Sequence, residues 1–125
     1  MQTEWNDSQP IYRQLRERVI ALILDGELHD GDALPSVRNV SSEFRVNPIT
    51  VSKAYQTLVD DDLVEKKRGL GMFVKSGANE MLLESEKKKF LEQDWPEIIS
   101  RINRLGFSIK ELLNAEKLTE SKRGV

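Results

Sequence analysis

The sequence lacks cysteine and has a single histidine, His29, among its 125 residues. Without cysteine there can be no disulfide bridge and no thiolate metal ligand, and one histidine beside scattered carboxylates has no metal-ligand spacing. No combination of nucleophile, base and acid can be assembled from these residues either. The sequence therefore predicts a protein that is not an enzyme and that has neither a metal site nor a cofactor.

Long apolar runs and a targeting segment are also lacking. The longest apolar stretch, Val19 to Leu24, is far too short to span a bilayer, and Met1 to Trp5 shows neither the basic start nor the apolar core of a signal peptide. Apolar residues make up 38% of the chain and charged residues 32%, which is typical of a globular protein that can form helices. We therefore expect a cytoplasmic protein with no membrane partner.

The whole chain has no excess of basic residues, but one part of it does. The net charge is −2, which by itself argues mildly against binding to nucleic acid, yet the two signs are segregated along the chain. The first 35 residues contain three arginines and seven acidic residues, whereas Ser36 to Ser76 contains seven basic and five acidic residues. Between Lys66 and Lys75 there are four basic residues and no acidic one. This part of the sequence predicts a local basic surface.

What the sequence does contain is a regular succession of helix signals in its first half. Apolar residues recur at helical spacing in three segments, which are Tyr12, Leu15, Val19, Leu22 and Ile23; Val37, Val40 and Phe44; and Val51, Ala54, Tyr55 and Leu58. Start signals precede all three segments, namely Ser8 with Pro10, then Ser36, then Asn47 with Pro48. The last two segments are separated by a few residues, so the sequence predicts a helix-turn-helix.

Two short apolar segments follow the third helix and predict a β-hairpin. Leu63 to Lys66 and Met72 to Val74 flank a turn that contains Gly69 and Gly71. A basic hairpin directly after a helix-turn-helix is typical of a winged variant. We therefore predict a mostly α fold with a small β-hairpin (α+β), in which residues 1–76 form an N-terminal winged helix-turn-helix.

Residues 77–125 predict a short C-terminal helical region. One helix is expected from about residue 79 to residue 93, and residues from about Lys117 are expected to form a flexible tail. Further start signals lie between these two segments: Asp94 with Pro96 and Glu97 opens a second helix that Gly106 ends, and Ser108 with Glu111 opens a third.

Seven motifs between residues 9 and 75 occur in a fixed order without detectable gaps. They are Pro10-Ile11-Tyr12-Arg13-Gln14-Leu15, Gly26-Glu27-Leu28, Gly31-Asp32, Leu34-Pro35-Ser36-Val37-Arg38, Val46-Asn47-Pro48-Ile49-Thr50-Val51, Lys53-Ala54-Tyr55 and Gly69-Leu70-Gly71-Met72-Phe73-Val74. In this order they resemble the GntR family of bacterial repressors. The remaining residues are similar to the short helical region of its YtrA subfamily, and the chain has no room for the larger effector domains of other branches.

The resemblance implies a sequence-specific transcriptional regulator that binds a double-stranded DNA operator, often as a repressor of a neighbouring transporter operon. In a winged helix-turn-helix the start of the recognition helix enters the major groove, and members of the family often place wing residues in the minor groove. The residues expected to contact DNA are Ser36, Arg38, Arg45, Asn47, Pro48, Ile49, Thr50, Ser52, Lys53, Lys67, Arg68, Gly69 and Gly71.

The chemistry of these residues suggests different roles. The planar guanidinium of Arg38 suits a phosphate or a guanine edge, and the side chains of Asn47 and Thr50 can hydrogen-bond to base edges or phosphate. Ile49 can meet a thymine methyl group, whereas Pro48 has no donor and shapes the helix start. Strand alternation points Lys66 and Lys67 to opposite faces of the hairpin, so one of them could simply be solvated.

A homodimer is expected because one winged domain buries too little surface for tight, selective binding, whereas two copies can occupy a palindromic operator. The tail also contains more apolar residues than a thin helical region can bury within one chain. The residues expected in the dimer interface are Leu82, Phe90, Leu91, Trp95, Ile98, Ile99, Ile102 and Leu105, with Trp95 as the anchor.

Other interpretations stay open at this point. The helix pattern alone fits a three-helix bundle that does not bind DNA. Separately, Arg38 could pair within the chain, for example with Asp32, and Trp95 could pack against its own winged domain. The chain could also be a winged-helix protein-interaction module, or a ligand sensor whose pocket for an unidentified small-molecule effector lies between the two regions. The basic wing and the Asn47–Thr50 helix start favour DNA over an interaction module.

Overall fold

The computed structural model describes residues 5–115, so the predicted flexible tail from Lys117 lies outside the described residues. Its elements are α1 (Ile11–Leu24), α2 (Val37–Phe44), α3 (Pro48–Asp60), β1 (Val64–Lys67), β2 (Gly71–Val74), α4 (Ala78–Lys89), a π-helical turn (Phe90–Asp94) and α5 (Trp95–Leu105). A sixth helix, α6, begins at residue 109 and is described as far as residue 115. The described residues form two compact units, one ending at Glu84 and one beginning at Ser85.

The core of the first unit is built from the apolar faces that the sequence predicts. Leu15, Val19 and Ile23 of α1 are buried against α3, whose Tyr55 and neighbouring apolar residues are buried as well. Each fully buried side chain of this kind contributes about 1.5–3 kcal/mol relative to an exposed one. This core fixes the position of α3 relative to α1, and with it the position of the candidate site.

Two of the three predicted helix starts are confirmed. The Ser36 hydroxyl accepts a hydrogen bond from the Asn39 backbone N–H at 3.0 Å, and the Asn47 side-chain oxygen accepts one from the Ile49 N–H at 2.8 Å. Pro48 is the first residue of α3, where its missing N–H has no cost. The caps satisfy backbone donors that would otherwise have no partner in the first turn.

The predicted start of α1 at Ser8 is wrong. The helix begins at Ile11, and Pro10 occupies the cap position with an extended backbone and no side-chain cap. The Ser8 hydroxyl donates instead to the side chain of Asn6 at 2.7 Å. The buried amide of Gln14 binds the Asn6 backbone through both its oxygen and its nitrogen, at 3.0 and 2.8 Å, which holds this segment outside the helix.

The wing is an antiparallel hairpin whose base is held by the segment that precedes α2. β1 and β2 pair in the register Val64↔Val74 to Lys67↔Gly71. On the other side of β2, the Gly31 N–H donates to the Val74 carbonyl at 2.8 Å, and an isolated bridge pairs Ala33 with Phe73. The Leu34 N–H also donates to the Met72 carbonyl at 2.9 Å. The start of α2 is therefore tied by backbone hydrogen bonds to the base of the wing.

The first turns of α4 belong to the first unit. Ala78 and Leu82 are buried in its hydrophobic core, and the Asn79 side-chain amide donates to the Ile23 carbonyl at 2.7 Å. The first unit accordingly ends at Glu84 rather than at residue 76. The expectation that Leu82 lies in a dimer interface is corrected, because its own chain leaves only 8% of the residue exposed.

In the second unit α5 begins directly after Asp94, with Pro96 in its first turn, as the sequence predicts, but Asp94 does not cap it. The Trp95 N–H donates to the Phe90 carbonyl five residues earlier, which is the hydrogen bond of a π-helix, and Asp94 has helical backbone angles without a side-chain cap. Pro96 therefore follows a widened turn directly, and the widened turn accommodates the residue that cannot donate. The predicted position of this helix start is therefore confirmed, whereas the predicted cap is wrong because α5 continues from the π-helical turn.

The later boundaries in the second unit agree with the sequence. Gly106 ends α5 with a φ of 76°, a left-handed conformation that glycine adopts without steric cost. The Ser108 hydroxyl accepts from the Glu111 N–H at 3.1 Å, which confirms the predicted cap of the last helix. None of the helices between residues 5 and 115 is both long enough and apolar enough to cross a membrane.

Candidate nucleic-acid interface

The turn between α2 and α3 sets the direction in which the recognition helix leaves the core. Arg45 ends α2 in a left-handed conformation with a φ of 53°, and its side chain is exposed. The next residue, Val46, is buried, and its carbonyl accepts a hydrogen bond from the Ser41 hydroxyl at 2.6 Å. The buried Val46 and its hydrogen bond with Ser41 hold the connection between α2 and α3 in place. The first turn of α3 stays exposed.

The first turn of α3 presents an apolar group next to polar ones. Ile49 is 77% exposed although it is a large apolar residue, and Thr50 beside it is half-buried. The Asn47 oxygen is used in the cap, which leaves the NH2 group of the same side chain to donate. One turn on, Ser52 is exposed. The structure therefore places these predicted DNA-contacting residues on or next to the exposed side of α3.

Lys53 is directed toward α1. Its Nζ lies 4.1 Å from the centroid of the Tyr12 ring, a cation–π contact. A hydrogen bond with the Arg13 side chain lowers the pKa of the Tyr12 hydroxyl from its usual value, and the positive charges of Arg13 and Lys53 act in the same direction. The charge of Lys53 is thus held beside the start of α1.

Arg38 is exposed on the first turn of α2, and within residues 5–115 it forms no ion pair. The alternative in which it pairs with Asp32 is wrong. The Asp32 carboxylate instead accepts a hydrogen bond from the His29 backbone N–H at 2.8 Å and lies 3.3 Å from Nδ1 of the same residue. The guanidinium of Arg38 is therefore available to an anion outside the described residues.

The two lysines at the end of β1 lie on opposite faces of the hairpin. Lys67 is on the same face as Glu65 and Phe73: its Nζ lies 3.6 Å from the Glu65 carboxylate and 4.8 Å from the centroid of the Phe73 ring. Lys66 pairs with Met72 on the other face, which continues into the buried Val64. The sequence predicts Lys67 rather than Lys66 as a DNA-contacting residue, but it is Lys66 that faces the helices.

A cleft of about 370 Å³ separates the wing from the helices and brings several candidate residues together. Its lining includes Ser36 from the start of α2, Ser52 and Gln56 from the exposed side of α3, and Lys66 and Leu70 from the wing. Lys67 and Lys53 are not among its lining residues. The cleft therefore joins the start of α2 and the middle of α3 to one lysine of the wing.

Tyr55 fixes one wall of the cleft. Its hydroxyl donates to the Pro35 carbonyl at 2.7 Å, which ties α3 to the residue before the α2 cap. Burial raises the pKa of Tyr55 to about 12, so its phenol keeps the proton that it donates at neutral pH. This hydrogen bond ties the middle of α3 to the segment before the start of α2.

Three residues of this surface were missed by the sequence analysis. Gln56 follows Ser52 by four residues and Ile49 by seven, so helical spacing already places it on the same face. Lys66 can be assigned to one face of the hairpin only when the register of β1 against β2 is known. Leu70 is 74% exposed at the tip of the wing, and the signal for it was a large apolar residue between two turn glycines.

The arrangement suits an anionic partner. The start of α2, where backbone N–H groups favour anions, lies beside the basic wing. Among the described residues no group of histidine and carboxylate side chains is placed to hold a metal ion. The fold and this surface together define the class of winged helix-turn-helix regulators.

Comparison with known proteins identifies the family. The model for "Bacterial regulatory proteins, gntR family" matches residues 11–74, and the chain belongs to the GntR family. It is 37% identical over 93 residues to the HTH-type transcriptional repressor YtrA of Bacillus subtilis (strain 168), covering 74% of this chain and 72% of the relative. The members of this family and the relative YtrA are transcriptional regulators and not enzymes. The chain is therefore a regulator rather than an enzyme.

Solved structures support the fold over different lengths of the chain. A transcriptional regulator from Oenococcus oeni superposes with a TM-score of 0.73 at 28% identity and covers 90% of this chain and 94% of that chain. The DNA-binding domain of AraR in complex with operator ORE1 superposes with a TM-score of 0.52 at 26% identity, covering 59% of this chain and 93% of that domain. The mostly helical winged helix-turn-helix fold predicted from the sequence is therefore confirmed.

Proposed function

We propose that this chain is a homodimeric transcriptional repressor that acts in the cytoplasm and binds a palindromic operator. The bacterial operon that it controls is proposed to be a transporter operon. The observation that carries the proposal is the cleft in which the start of α2 and the middle of α3 meet the basic wing. The similarity to a named repressor and to a DNA-binding domain solved with its operator supports it.

The helix starts supply the base and phosphate contacts in this proposal. The exposed start of α3 enters the major groove, where Ile49 meets a thymine methyl group and Asn47 and Thr50 donate to base edges or phosphate. Arg38 binds phosphate or a guanine edge from α2, and Arg45 binds phosphate from the turn. Backbone phosphate passes over the cleft, where Ser36, Ser52 and Lys66 can reach it.

The second unit supplies the dimer interface in this proposal. Several of its large apolar residues stay exposed within one chain, which is unfavourable in a protein that acts alone. Trp95 is 36% exposed and packs against Phe90 with ring centroids 6.2 Å apart, so the two rings form an aromatic anchor. The residues proposed for the interface are Phe90, Leu91, Trp95, Ile98, Ile99, Ile102 and Leu105.

The proposal is tested with DNA selected from a random pool of duplexes, followed by fluorescence-anisotropy titration of the selected and a scrambled duplex. We expect the selected sequences to have inverted symmetry and to bind in a salt-sensitive way. Arg38→Ala should weaken binding by about tenfold, since a good charged contact is worth about 1–3 kcal/mol.

Arg104→Ala is the matched control, because Arg104 is an exposed arginine on α5, roughly 200° around the helix from Ile102. It should bind like the unaltered protein. Equal affinity for selected and scrambled DNA would contradict operator specificity. If no duplex bound at low salt, a protein-interaction module would be the better interpretation of the basic wing.

A further inference from the structure

Two large apolar side chains of the first unit are far more exposed than the others described there. Ile49 is 77% and Leu70 74% exposed, whereas Met81, Leu83 and Ile11 are between 38% and 44% exposed. Ile49 begins the recognition helix and Leu70 lies at the tip of the wing. Neither side chain contributes to the core, so the fold alone does not account for an apolar residue at either position.

The tip of the wing is narrow on both sides of Leu70. The Leu70 N–H donates to the Lys67 carbonyl at 2.9 Å and closes the turn. Gly69 and Gly71 flank it with φ values of 78° and 115°, conformations that favour glycine. Neither residue next to Leu70 in sequence has a side chain, and the minor groove of B-DNA, about 6 Å wide, can admit such a tip.

Charge around the tip indicates that its partner is DNA. Arg68 precedes the two glycines, and Lys66 lies in the cleft that Leu70 also lines. Basic side chains beside an apolar tip suit a DNA groove, because phosphates form the two edges of the groove and its floor is less polar. Minor-groove binding proteins use the same combination of basic residues and an apolar wedge.

We propose that Leu70 contacts the floor of the minor groove and selects A·T pairs beneath the wing. The floor at an A·T pair presents only acceptors, whereas a G·C pair adds the guanine N2 amino group. Leucine has no acceptor for that amino group, so a G·C pair would bury an unsatisfied donor and also meet a steric obstacle. This proposal rests on the proposed function, since it assumes that the winged unit binds an operator.

The experiment uses the full chain and replaces, one at a time, each A·T pair that flanks the selected half-site. Each pair is changed to G·C and, separately, to inosine·C, because inosine matches guanine in the major groove but lacks the N2 amino group. At the pairs beneath the wing we expect G·C to weaken binding by about tenfold and inosine·C to restore most of it. Leu70→Ala should discriminate between G·C and inosine·C less than threefold.

Ile49→Ala is the matched control, because it removes the other exposed apolar side chain from a different groove. It should keep the response to inosine and lose the preference for thymine over uracil, which differ only in the major-groove methyl group. Thermal unfolding of both variants should match that of the unaltered chain, since neither side chain is buried.

The outcomes separate the two proposals. If Leu70→Ala keeps the full discrimination, or if the unaltered protein binds G·C and inosine·C equally at every flanking pair, the role of Leu70 is refuted while operator binding stands. If the unaltered protein binds no selected DNA, the proposed function fails first, and with it the minor-groove contact.

Discussion

Replacing Lys66 and Lys67 separately with alanine should affect DNA binding unequally, although the two residues are adjacent and identical. Lys66 lines the cleft over which backbone phosphate is proposed to pass. Lys67 lies 3.6 Å from the Glu65 carboxylate on the other face of the hairpin. Because a neutralised phosphate releases condensed counterions, removal of one lysine from a phosphate should be visible in the salt dependence of binding.

The magnitude follows from the counterions that a single phosphate releases. One neutralised phosphate contributes about 0.9 to the slope of log affinity against log salt, so a fourfold rise in salt weakens that interaction by about 3.5-fold. Lys66→Ala should make the slope shallower by about 0.9, and Lys67→Ala by less than half of that. Anisotropy titrations of the selected duplex at four salt concentrations measure both slopes.

Lys110→Ala provides the control for a change in total charge, because Lys110 is exposed on α6 in the second unit. Its slope should equal that of the unaltered protein. Equal slopes for Lys66→Ala and Lys67→Ala, or a larger change for Lys67→Ala, would refute the assignment of the phosphate path to the cleft.

Two further predictions concern the dimer and the buried tyrosine. Trp95→Ala should weaken dimerisation by roughly 30-fold in sedimentation experiments over a range of concentrations, whereas Arg104→Ala should not, and a dimer unaffected by Trp95→Ala would place the anchor elsewhere. In an alkaline titration of tyrosinate absorbance, Tyr12, whose pKa is lowered, should ionise before Tyr55, whose pKa is raised to about 12. Unfolded Tyr55 loses its proton near pH 10 but folded Tyr55 keeps it, so the free energy of unfolding should fall between about pH 10 and 12. Tyr55→Phe should remove that part of the fall, and ionisation of both phenols together would contradict the burial of Tyr55.

Features fixed by neighbours in sequence were predictable. The caps at Ser36 and Asn47 depend on a side chain and a backbone N–H two or three residues later, so the sequence contains both partners. The apolar face of α3 likewise needs only the helical period to be assigned. The recognition helix and its first exposed turn could therefore be located before the structure was known.

Features that depend on distant partners were not predictable in this way. From the sequence, Leu82 belongs to the apolar residues of the C-terminal helical region. In the structure it lies in the core of the first unit, because α4 begins against α1. Asp94 and Pro96 have the residue types of a helix start, and α5 begins there, but the π-helical turn before it leaves Asp94 in a helical conformation without a cap. Lys66 could be assigned to a face only from the register of β1 against β2. For Leu82, tertiary packing decided between two locally acceptable arrangements.

The backbone pairing of residues 31–34 with β2 has a consequence for the thermodynamics of binding. Fixing a residue costs about 1–2 kcal/mol of conformational entropy, and here the base of the wing is ordered before any DNA arrives. The same hydrogen bonds hold the start of α2 at a constant distance from the wing, so the two cannot slide apart to suit a differently spaced duplex. If the proposed function holds, a duplex must fit this fixed spacing before its bases can be contacted.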